Sequence, residues 1–161
     1  MDRQNIYIGL GSNLNEPRLQ ITNAINEIKL LENCDFILNS SLYKSPPMGP
    51  QDQPDYFNSV LKMSSNLTAI KLLDKLQNIE QQHGRIQKER WGARSLDLDI
   101  LLYGQQVINS DRLTIPHLGL YIRAFVLYPL YEIEPKLILP NGVALSEQVK
   151  ALGKQDIEKI I

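Results

Sequence analysis

The chain has 161 residues, of which 43% are apolar and 22% are charged, and this length suits one domain with its own hydrophobic core. The 17 Lys and Arg residues and 18 Asp and Glu residues leave a net charge of −1, whereas general binders of nucleic acid or anionic membranes usually carry a basic excess. The single cysteine, Cys34, excludes an internal disulfide. Because no apolar run approaches the ~18 residues of a membrane span and no signal peptide is present, we expect one cytoplasmic domain over residues 1–161.

The first half of the chain alternates strand and helix signals. The run Ile6–Leu10 predicts a short strand, and Pro17 is suited to the first turn of the helix that follows, where its missing N–H costs nothing. Residues 36–44 predict a second strand. The proline-rich stretch 45–55 predicts a loop, because four prolines deny it both strand and helix.

The second half repeats this order and adds a helical tail. Residues 56–64 predict a strand, and Thr68 is placed to cap a helix that ends near Gly84. A strand is predicted over Ser95–Tyr103 and a helix over 121–131, followed by a turn and a short helix. The order β-α-β-β-α-β predicts an α+β, ferredoxin-like antiparallel sheet with helices on one face and a C-terminal extension.

The strongest chemical signal is the pair Asp97 and Asp99 within the strand Ser95–Tyr103. Side chains alternate faces along a strand, so the alternate residues from Leu96 to Leu102 are predicted to point into the core. The two carboxylates then share the other face, with Cα atoms roughly 6.6 Å apart. Their repulsion of about 3 kcal/mol is screened by water on an ordinary exposed strand or offset by a bound cation. Mg²⁺ prefers such oxygen ligands, completed by water and phosphate.

Basic residues flank this strand on both sides. Residues 83–94 hold four Lys or Arg residues against one Glu, and a second group follows the strand: Arg112, Thr114, His117 and Arg123. Each of these alone is consistent with an ordinary solvated surface. Together with the aspartate pair they favour the binding of nucleotide phosphates, and the absence of a G-x-x-x-x-G-K-[ST] string excludes a P-loop enzyme.

Two further pairs have polar or aromatic groups at a regular spacing. Tyr56 and Asn58 share one face of a predicted strand, where a phenol ring can stack on a flat ligand and an amide can both donate and accept. Gln77 and Glu80 are i,i+3 neighbours on the predicted polar side of a helix. By themselves both pairs are equally consistent with ordinary surface.

Four strings of this sequence resemble the 6-hydroxymethyl-7,8-dihydropterin pyrophosphokinase family of folate biosynthesis. They occur in the family's order: IGLGSNL over residues 8–14, PPMGPQDQPDYFN over 46–58, RWGARSLDLDI over 90–100 and RLTIPH over 112–117. The resemblance implies a transferase that moves the β,γ-diphosphate of ATP to the hydroxymethyl group of the dihydropterin, with AMP as the second product. It further implies that Asp97 and Asp99 hold two Mg²⁺ ions and that Arg85 and Arg94 close over the phosphates.

The resemblance also implies the remaining binding residues. Those for the ATP co-substrate are Gln77, Glu80, Trp91, Arg94, Ile100, Arg112, Thr114, His117 and Arg123. Those for the pterin are Ser45, Pro46, Met48, Tyr56, Asn58, Asp97 and Phe125. The expected partners are these two small molecules, with no nucleic acid and no membrane, and the expected state is a monomer.

Two alternatives follow from the same residues. One is a nucleotidyl- or phosphotransferase that uses the aspartate pair and the basic segment on another acceptor. The other is an RNA-binding module, which ferredoxin-like sheets also form, although the balanced charge and the absence of an aromatic RNP1-type string argue against it. Gln87 and Leu118 depart from residues common in the family, which is expected to change rate and affinity rather than reaction type.

Overall fold

The computed structural model describes residues 3–46, 53–83 and 95–160. These residues form a six-stranded antiparallel sheet, a two-stranded hairpin and four helices. The strands are β1 (Gln4–Ser12), β2 (Cys34–Asn39), β3 (Leu42–Ser45), β4 (Tyr56–Ser65), β5 (Asp97–Tyr103), β6 (Ile108–Asn109), β7 (Thr114–Ile115) and β8 (Glu158–Ile160). The helices are α1 (Pro17–Lys29), α2 (Ala69–Gln82), α3 (Ala124–Ile133) and α4 (Leu145–Leu152).

The large sheet has the strand order β5-β1-β4-β3-β8, and β2 pairs with the opposite end of β4 from β3. The strand predicted over 36–44 is therefore two strands. Ser40 causes the break, because its hydroxyl accepts a 2.9 Å hydrogen bond from the backbone N–H of Val60 and donates to the carbonyl oxygen of Ser41. The Ser40 backbone N–H still donates to the Val60 carbonyl oxygen at 2.8 Å, but the return hydrogen bond from Val60 goes to a side chain instead of a backbone carbonyl.

Two hydrophobic clusters lie on opposite faces of the sheet. Ile6, Ile8 and Leu10 of β1 face the first cluster, together with the apolar sides of α1 and α2, while Tyr7 faces the second. Helices α3 and α4 cover the second cluster. The predicted ferredoxin-like arrangement is confirmed, and the C-terminal extension forms a layer of its own on the sheet face opposite α1 and α2.

Strand β5 contains an irregularity that the alternation rule did not predict. Ile8 is paired with Ile100 but Tyr7 with Leu102, so Leu101 is an extra residue in the β5 ladder. Leu96, Leu98 and Ile100 face the first cluster, as predicted, but Leu102 lies in the second cluster beside Leu101. The prediction that Leu102 shares the face of Leu96 was wrong because the bulge reverses the alternation.

Other boundaries differ in smaller ways. Thr68 caps α2, as predicted, by accepting a 3.3 Å hydrogen bond from the backbone N–H of Lys71. The helix predicted over 121–131 begins at Ala124 and continues past Pro129 to Ile133. The sequence reasoning missed β6, β7 and β8, all of which have two or three residues. Within the described parts of the chain, no helix has both the length and the apolar character needed to cross a bilayer.

Candidate active site

A row of residues crosses four neighbouring strands on the sheet face that carries α3. Asp97 of β5 is paired with Gly11 of β1, Gly11 with Asn58 of β4, and Asn58 with Tyr43 of β3. Tyr56 precedes Asn58 by two residues and therefore shares its face. The structure thus brings three predicted site residues, Asp97, Asn58 and Tyr56, to one side of the sheet.

Gly11 leaves the space that the Asn58 side chain occupies. A Cβ atom on Gly11 would lie 2.8 Å from Asn58 Nδ2, closer than real side chains tolerate. Asn58 is 8% exposed, and its Oδ1 atom has no hydrogen-bond partner among the described residues. A buried acceptor without a partner costs free energy that a donor on a ligand can recover.

The hydroxyl of Tyr43, at the β3 end of this row, is held by a hydrogen bond to Glu132. Burial, together with the hydrogen bond to Glu132 and the charge of that carboxylate, raises the pKa of the Tyr43 phenol. The phenol therefore stays protonated and donates a 2.7 Å hydrogen bond to Glu132 Oε1. This bond connects β3, which leads into the proline-rich segment, to helix α3.

Asp99 lies on the same face as Asp97, two residues further along β5. Its side chain is 49% exposed, and its Oδ1 atom lies 3.8 Å from Nε2 of His117. The backbone N–H of Gly119 donates to His117 Nδ1 at 3.1 Å, so the neutral ring carries its proton on Nε2 and presents it toward Asp99. His117 therefore has a defined orientation beside the aspartate pair.

Arg123 and Phe125 lie at the start of α3, directly after the turn that contains His117. The guanidinium carbon of Arg123 lies 5.7 Å from the centre of the Phe125 ring, within the range of a cation–π interaction. The Arg123 side chain also crosses Gly119, where a Cβ atom would lie 2.5 Å from its Cδ. The missing side chain at Gly119 therefore lets Arg123 pack against the turn that orients His117.

Arg112 and Gln77 also lie together, on the outer side of α2. Arg112 Nη2 donates to Asp74 Oδ1 at 2.6 Å and to Gln77 Oε1 at 3.1 Å. All three residues are exposed. The structure therefore groups these two predicted ATP-binding residues and adds Asp74, which the sequence reasoning did not select.

Glu80 differs from its prediction. It is only 4% exposed, so it does not lie on the polar side of α2 as the i,i+3 spacing indicated. Its carboxylate accepts a 2.7 Å hydrogen bond from the backbone N–H of Leu98. Among the described strands, β5 has a neighbour on one side only, so the outward N–H of Leu98 pairs with Glu80 instead of with another strand, and this explains why the carboxylate is buried.

The other candidates occupy varied environments. Ile100 is 2% exposed and belongs to the first hydrophobic cluster, so its side chain is part of the core. Thr114 lies in β7, Ser45 ends β3, and Pro46 is exposed directly after it. Four predicted site residues lie outside the described residues: Met48, Arg85, Trp91 and Arg94.

The face of β5 that carries Asp97 and Asp99 fits a hard divalent cation. Asp97 and Asp99 supply carboxylate oxygens on one side of a strand, and the facing positions on β1, Gly11 and Gly9, carry no side chains. Among the described residues, no cluster of three or more His, Cys, Asp and Glu side chains is arranged to hold a metal. A carboxylate pair completed by water and phosphate is the donor set that Mg²⁺ uses in phosphate-transfer sites.

The sequence reasoning did not select the end of β1 and the turn that follows it, but buried polar side chains there form several hydrogen bonds. Asn13, 1% exposed, donates through Nδ2 to Gln53 Oε1 at 2.9 Å and to the carbonyl oxygen of Pro54 at 3.0 Å. Ser12, fully buried, donates to the carbonyl oxygen of Ser95. The signal that could have found these residues is the string Gly11-Ser12-Asn13 itself, since a strand rarely ends in buried polar side chains without a partner for each.

Comparison with known proteins points to one family. A family profile described as 7,8-dihydro-6-hydroxymethylpterin-pyrophosphokinase (HPPK) matches residues 7–135. A relative from Haemophilus influenzae named 2-amino-4-hydroxy-6-hydroxymethyldihydropteridine pyrophosphokinase is 50% identical over 154 residues, covering 96% of each chain. A relative of the same name from Pseudomonas aeruginosa is 46% identical, covering 98% of this chain and 97% of its own.

Solved structures support the fold. The crystal structure of wild-type Plasmodium falciparum HPPK-DHPS matches 99% of this chain with a TM-score of 0.76, at 12% sequence identity. This chain spans 48% of that longer protein. Both the family profile and the two relatives cover most of the sequence, and we conclude that the chain belongs to the 7,8-dihydro-6-hydroxymethylpterin-pyrophosphokinase family.

Proposed function

We infer that the chain transfers the β,γ-diphosphate of ATP to the hydroxymethyl group of 6-hydroxymethyl-7,8-dihydropterin, giving the pterin diphosphate and AMP, in folate biosynthesis. Family membership supports the reaction and ATP as co-substrate. The structural observation that carries the assignment is the row in which Asp97, Gly11 and Asn58 are direct neighbours. It puts a carboxylate suited to phosphate-bound cations beside an amide suited to a heterocycle.

Asp97 and Asp99 are proposed to hold the Mg²⁺ ions, of which two are expected. When bound, the cations would neutralise phosphate charge and polarise the reacting oxygens. The chain's own part is to keep two carboxylates on one face of β5, and the hydrogen bond from Leu98 to Glu80 holds the backbone between them. The Nε2–H of His117, 3.8 Å from Asp99, faces the same region and is proposed to contact an ATP phosphate or hydroxyl oxygen.

The pterin is proposed to bind on the face of β4 beside this pair. Tyr56 and Phe125 would stack on the two sides of the flat ring, with Tyr56 on β4 and Phe125 on the helix that covers this face. The unpartnered Oδ1 of Asn58 would accept a hydrogen bond from an amino or ring N–H of the pterin edge. Ser45 and Pro46, where β3 ends, are proposed to line the pocket with Met48.

ATP is proposed to lie between β5 and the residues that follow it. Arg112, Thr114 and Arg123 would contact the nucleotide from one side and Gln77 from helix α2, with Trp91 at the nucleoside. Because the side chains of Glu80 and Ile100 are buried, these two residues would contribute to the nucleoside site through their backbone. Arg85 and Arg94 are proposed to neutralise charge that develops on the transferred phosphates. Since phosphoryl-type transfer needs positioning and charge neutralisation more than proton transfer, this set of residues is chemically sufficient.

Three broader properties are also proposed. Residues 1–161 form a single pyrophosphokinase domain, the chain acts as a monomer, and it works in the cytoplasm. Size-exclusion chromatography with light scattering would check the monomer, and a dimer mass at micromolar concentration would contradict it.

Product identity tests the reaction. The purified protein is incubated with Mg²⁺, ATP and the dihydropterin, and nucleotides and pterins are resolved by chromatography. AMP formed one-for-one with a diphosphorylated pterin, only when both pterin and Mg²⁺ are present, is the expected result. ADP or free pyrophosphate in place of AMP would indicate instead a phospho- or nucleotidyltransferase that acts on another acceptor.

A further inference from the structure

We propose that Asn15 and Gln20 are positioning residues for diphosphate transfer, because together they connect His83 to Ser95, the described residues that flank the basic segment 84–94. The proposal rests on the proposed function, which assigns phosphate-binding roles to Arg85 and Arg94. Among the described residues, the side-chain hydrogen bonds of Asn15 and Gln20 go to Ser95, His83 and the Asn15 backbone, and not to a residue proposed to bind substrate. They act through His83 and Ser95, the two described residues that precede and follow that segment in the sequence.

The contacts at Ser95 form the first half of this connection. Asn15 Nδ2 donates a 2.8 Å hydrogen bond to Ser95 Oγ, and Ser12 Oγ donates to the Ser95 carbonyl oxygen at 2.5 Å. Ser95 is 5% exposed, so both of its oxygens are held in the interior. Asn15 adopts a left-handed backbone with φ of 54°, a conformation that asparagine tolerates better than most residues.

The contacts at His83 form the second half. Gln20 Nε2 donates a 2.9 Å hydrogen bond to the carbonyl oxygen of Asn15, which turns Gln20 Oε1 toward His83. His83 Nδ1 donates to this oxygen, and His83 Nε2 lies 3.0 Å from a carboxylate oxygen of Glu27. The His83 side chain is 8% exposed. Each polar atom of the Gln20 amide thus has one partner, the Asn15 carbonyl oxygen for Nε2 and the His83 ring for Oε1.

These two halves join into one chain of hydrogen bonds that runs from Ser95 through Asn15 and Gln20 to His83. Arg94 directly precedes Ser95, Asp97 follows it by two residues, and Arg85 follows His83 by two. A displacement of either flanking residue therefore moves a proposed phosphate contact. Since misplacement of a catalytic group by about 1 Å can cost as much as 100-fold in rate, bonds remote from the substrate can control turnover.

The test uses Asn15→Gly, which retains the left-handed backbone but removes the amide, and Gln20→Ala, with Asn23→Ala on the exposed side of α1 as the control. We expect kcat to fall about tenfold in Asn15→Gly and in Gln20→Ala, with KM for both substrates within twofold of wild type. Ser95→Ala combined with Asn15→Gly should lower kcat no further than the larger single change, because both remove the same bond.

A second measurement does not depend on the reaction. Trp91 is the single tryptophan of the chain, and acrylamide quenching of its fluorescence reports on the environment of the segment between His83 and Ser95. We expect quenching to change in Asn15→Gly and Gln20→Ala but not in Asn23→Ala. Unchanged quenching, unchanged kcat or a kcat loss matched by an equal rise in KM would each overturn the inference. Failure of the wild type to form AMP would instead overturn the proposed function, and the quenching comparison would still decide the positioning role.

Discussion

The carboxylate of Glu80 accepts a hydrogen bond of 2.7 Å from the backbone N–H of Leu98, the residue that separates Asp97 from Asp99. Helix α2 thereby holds the edge strand β5 at the point between the two proposed metal ligands. The bond also gives a physical reason for an acidic side chain that is only 4% exposed.

Replacing Glu80 separates its structural role from its charge. Glu80→Gln retains an oxygen that can accept from Leu98, whereas Glu80→Ala leaves this N–H without its partner and opens a cavity. We expect Glu80→Ala to lower the free energy of unfolding by roughly 1–3 kcal/mol and Glu80→Gln to have a much smaller effect. Urea unfolding followed by circular dichroism measures both. Equal losses in the two variants would show that the charge, rather than the hydrogen bond, matters for stability.

Gly11 is expected to control pterin binding through Asn58. In Gly11→Ala, the new Cβ atom would lie 2.8 Å from Asn58 Nδ2, so the buried amide must move. We expect KM for the pterin to rise about tenfold or more, with KM for ATP within threefold, as expected when a buried polar contact worth about 1.5 kcal/mol is lost. Steady-state kinetics with each substrate varied in turn checks this.

Gly9→Ala is the matched control, since Gly9 lies two residues earlier on the same face and strand. Its Cβ atom would lie 3.3 Å from a methyl carbon of Leu101, a close packing contact within the second hydrophobic cluster. We expect a cost of about 1 kcal/mol in stability and little change in the KM for the pterin. A pterin KM that rises equally in both variants would contradict the specific role of Gly11.

The strand and helix order could be predicted because hydrophobic periodicity and single capping residues dominate it. Thr68 caps α2 as its side chain predicts, and the alternation of Leu96, Leu98 and Ile100 places Asp97 and Asp99 on the opposite face. The short strands could not be found in this way. Strand β8 has three residues and depends on pairing with β3, a contact between distant parts of the chain that no local pattern encodes.

The failures at the site have similar causes. The helix spacing placed Glu80 with Gln77 on the polar side. A spacing rule contains no information about the backbone N–H of Leu98, whose hydrogen bond holds the Glu80 carboxylate in the interior. The bulge at Leu101 reverses the face of Leu102, and a period-two rule assumes an unbroken ladder. In both cases the missing information is a backbone hydrogen bond supplied by another element of the fold.

Asp97 and Asp99 are expected to be indispensable for turnover. Asp97→Ala and Asp99→Ala each remove a proposed cation ligand, so we expect AMP formation to fall by at least about 1,000-fold, the scale on which loss of charge stabilisation acts in such sites. Asp111→Ala, an exposed aspartate outside this face, is the control. Mn²⁺ binding followed by electron paramagnetic resonance should weaken in the two site variants only. Near-normal rates in either variant would contradict the metal assignment.

Acid should destabilise the protein through two glutamates at the end of α3. The hydrogen bond from Lys62 lowers the pKa of Glu134 against the effect of burial, and Tyr7 contributes a further hydrogen bond. Burial alone would raise the pKa of Glu132, but hydrogen bonds from Tyr43 and Ser41 outweigh it and lower the pKa.

Carboxyls with a lowered folded-state pKa bind protons more weakly in the folded than in the unfolded chain. Their stabilisation is therefore complete above the unfolded value of about 4.3 and is lost as the pH falls through the lower folded values. We expect the free energy of unfolding, measured by urea titration from pH 7 to pH 3, to fall less steeply in the double variant Glu132→Gln, Glu134→Gln than in wild type. The variant should also be less stable at pH 7, while Glu147→Gln, at an exposed position of α4, should follow the wild-type curve. Parallel curves for the double variant and wild type would show that these two carboxylates do not govern the acid response.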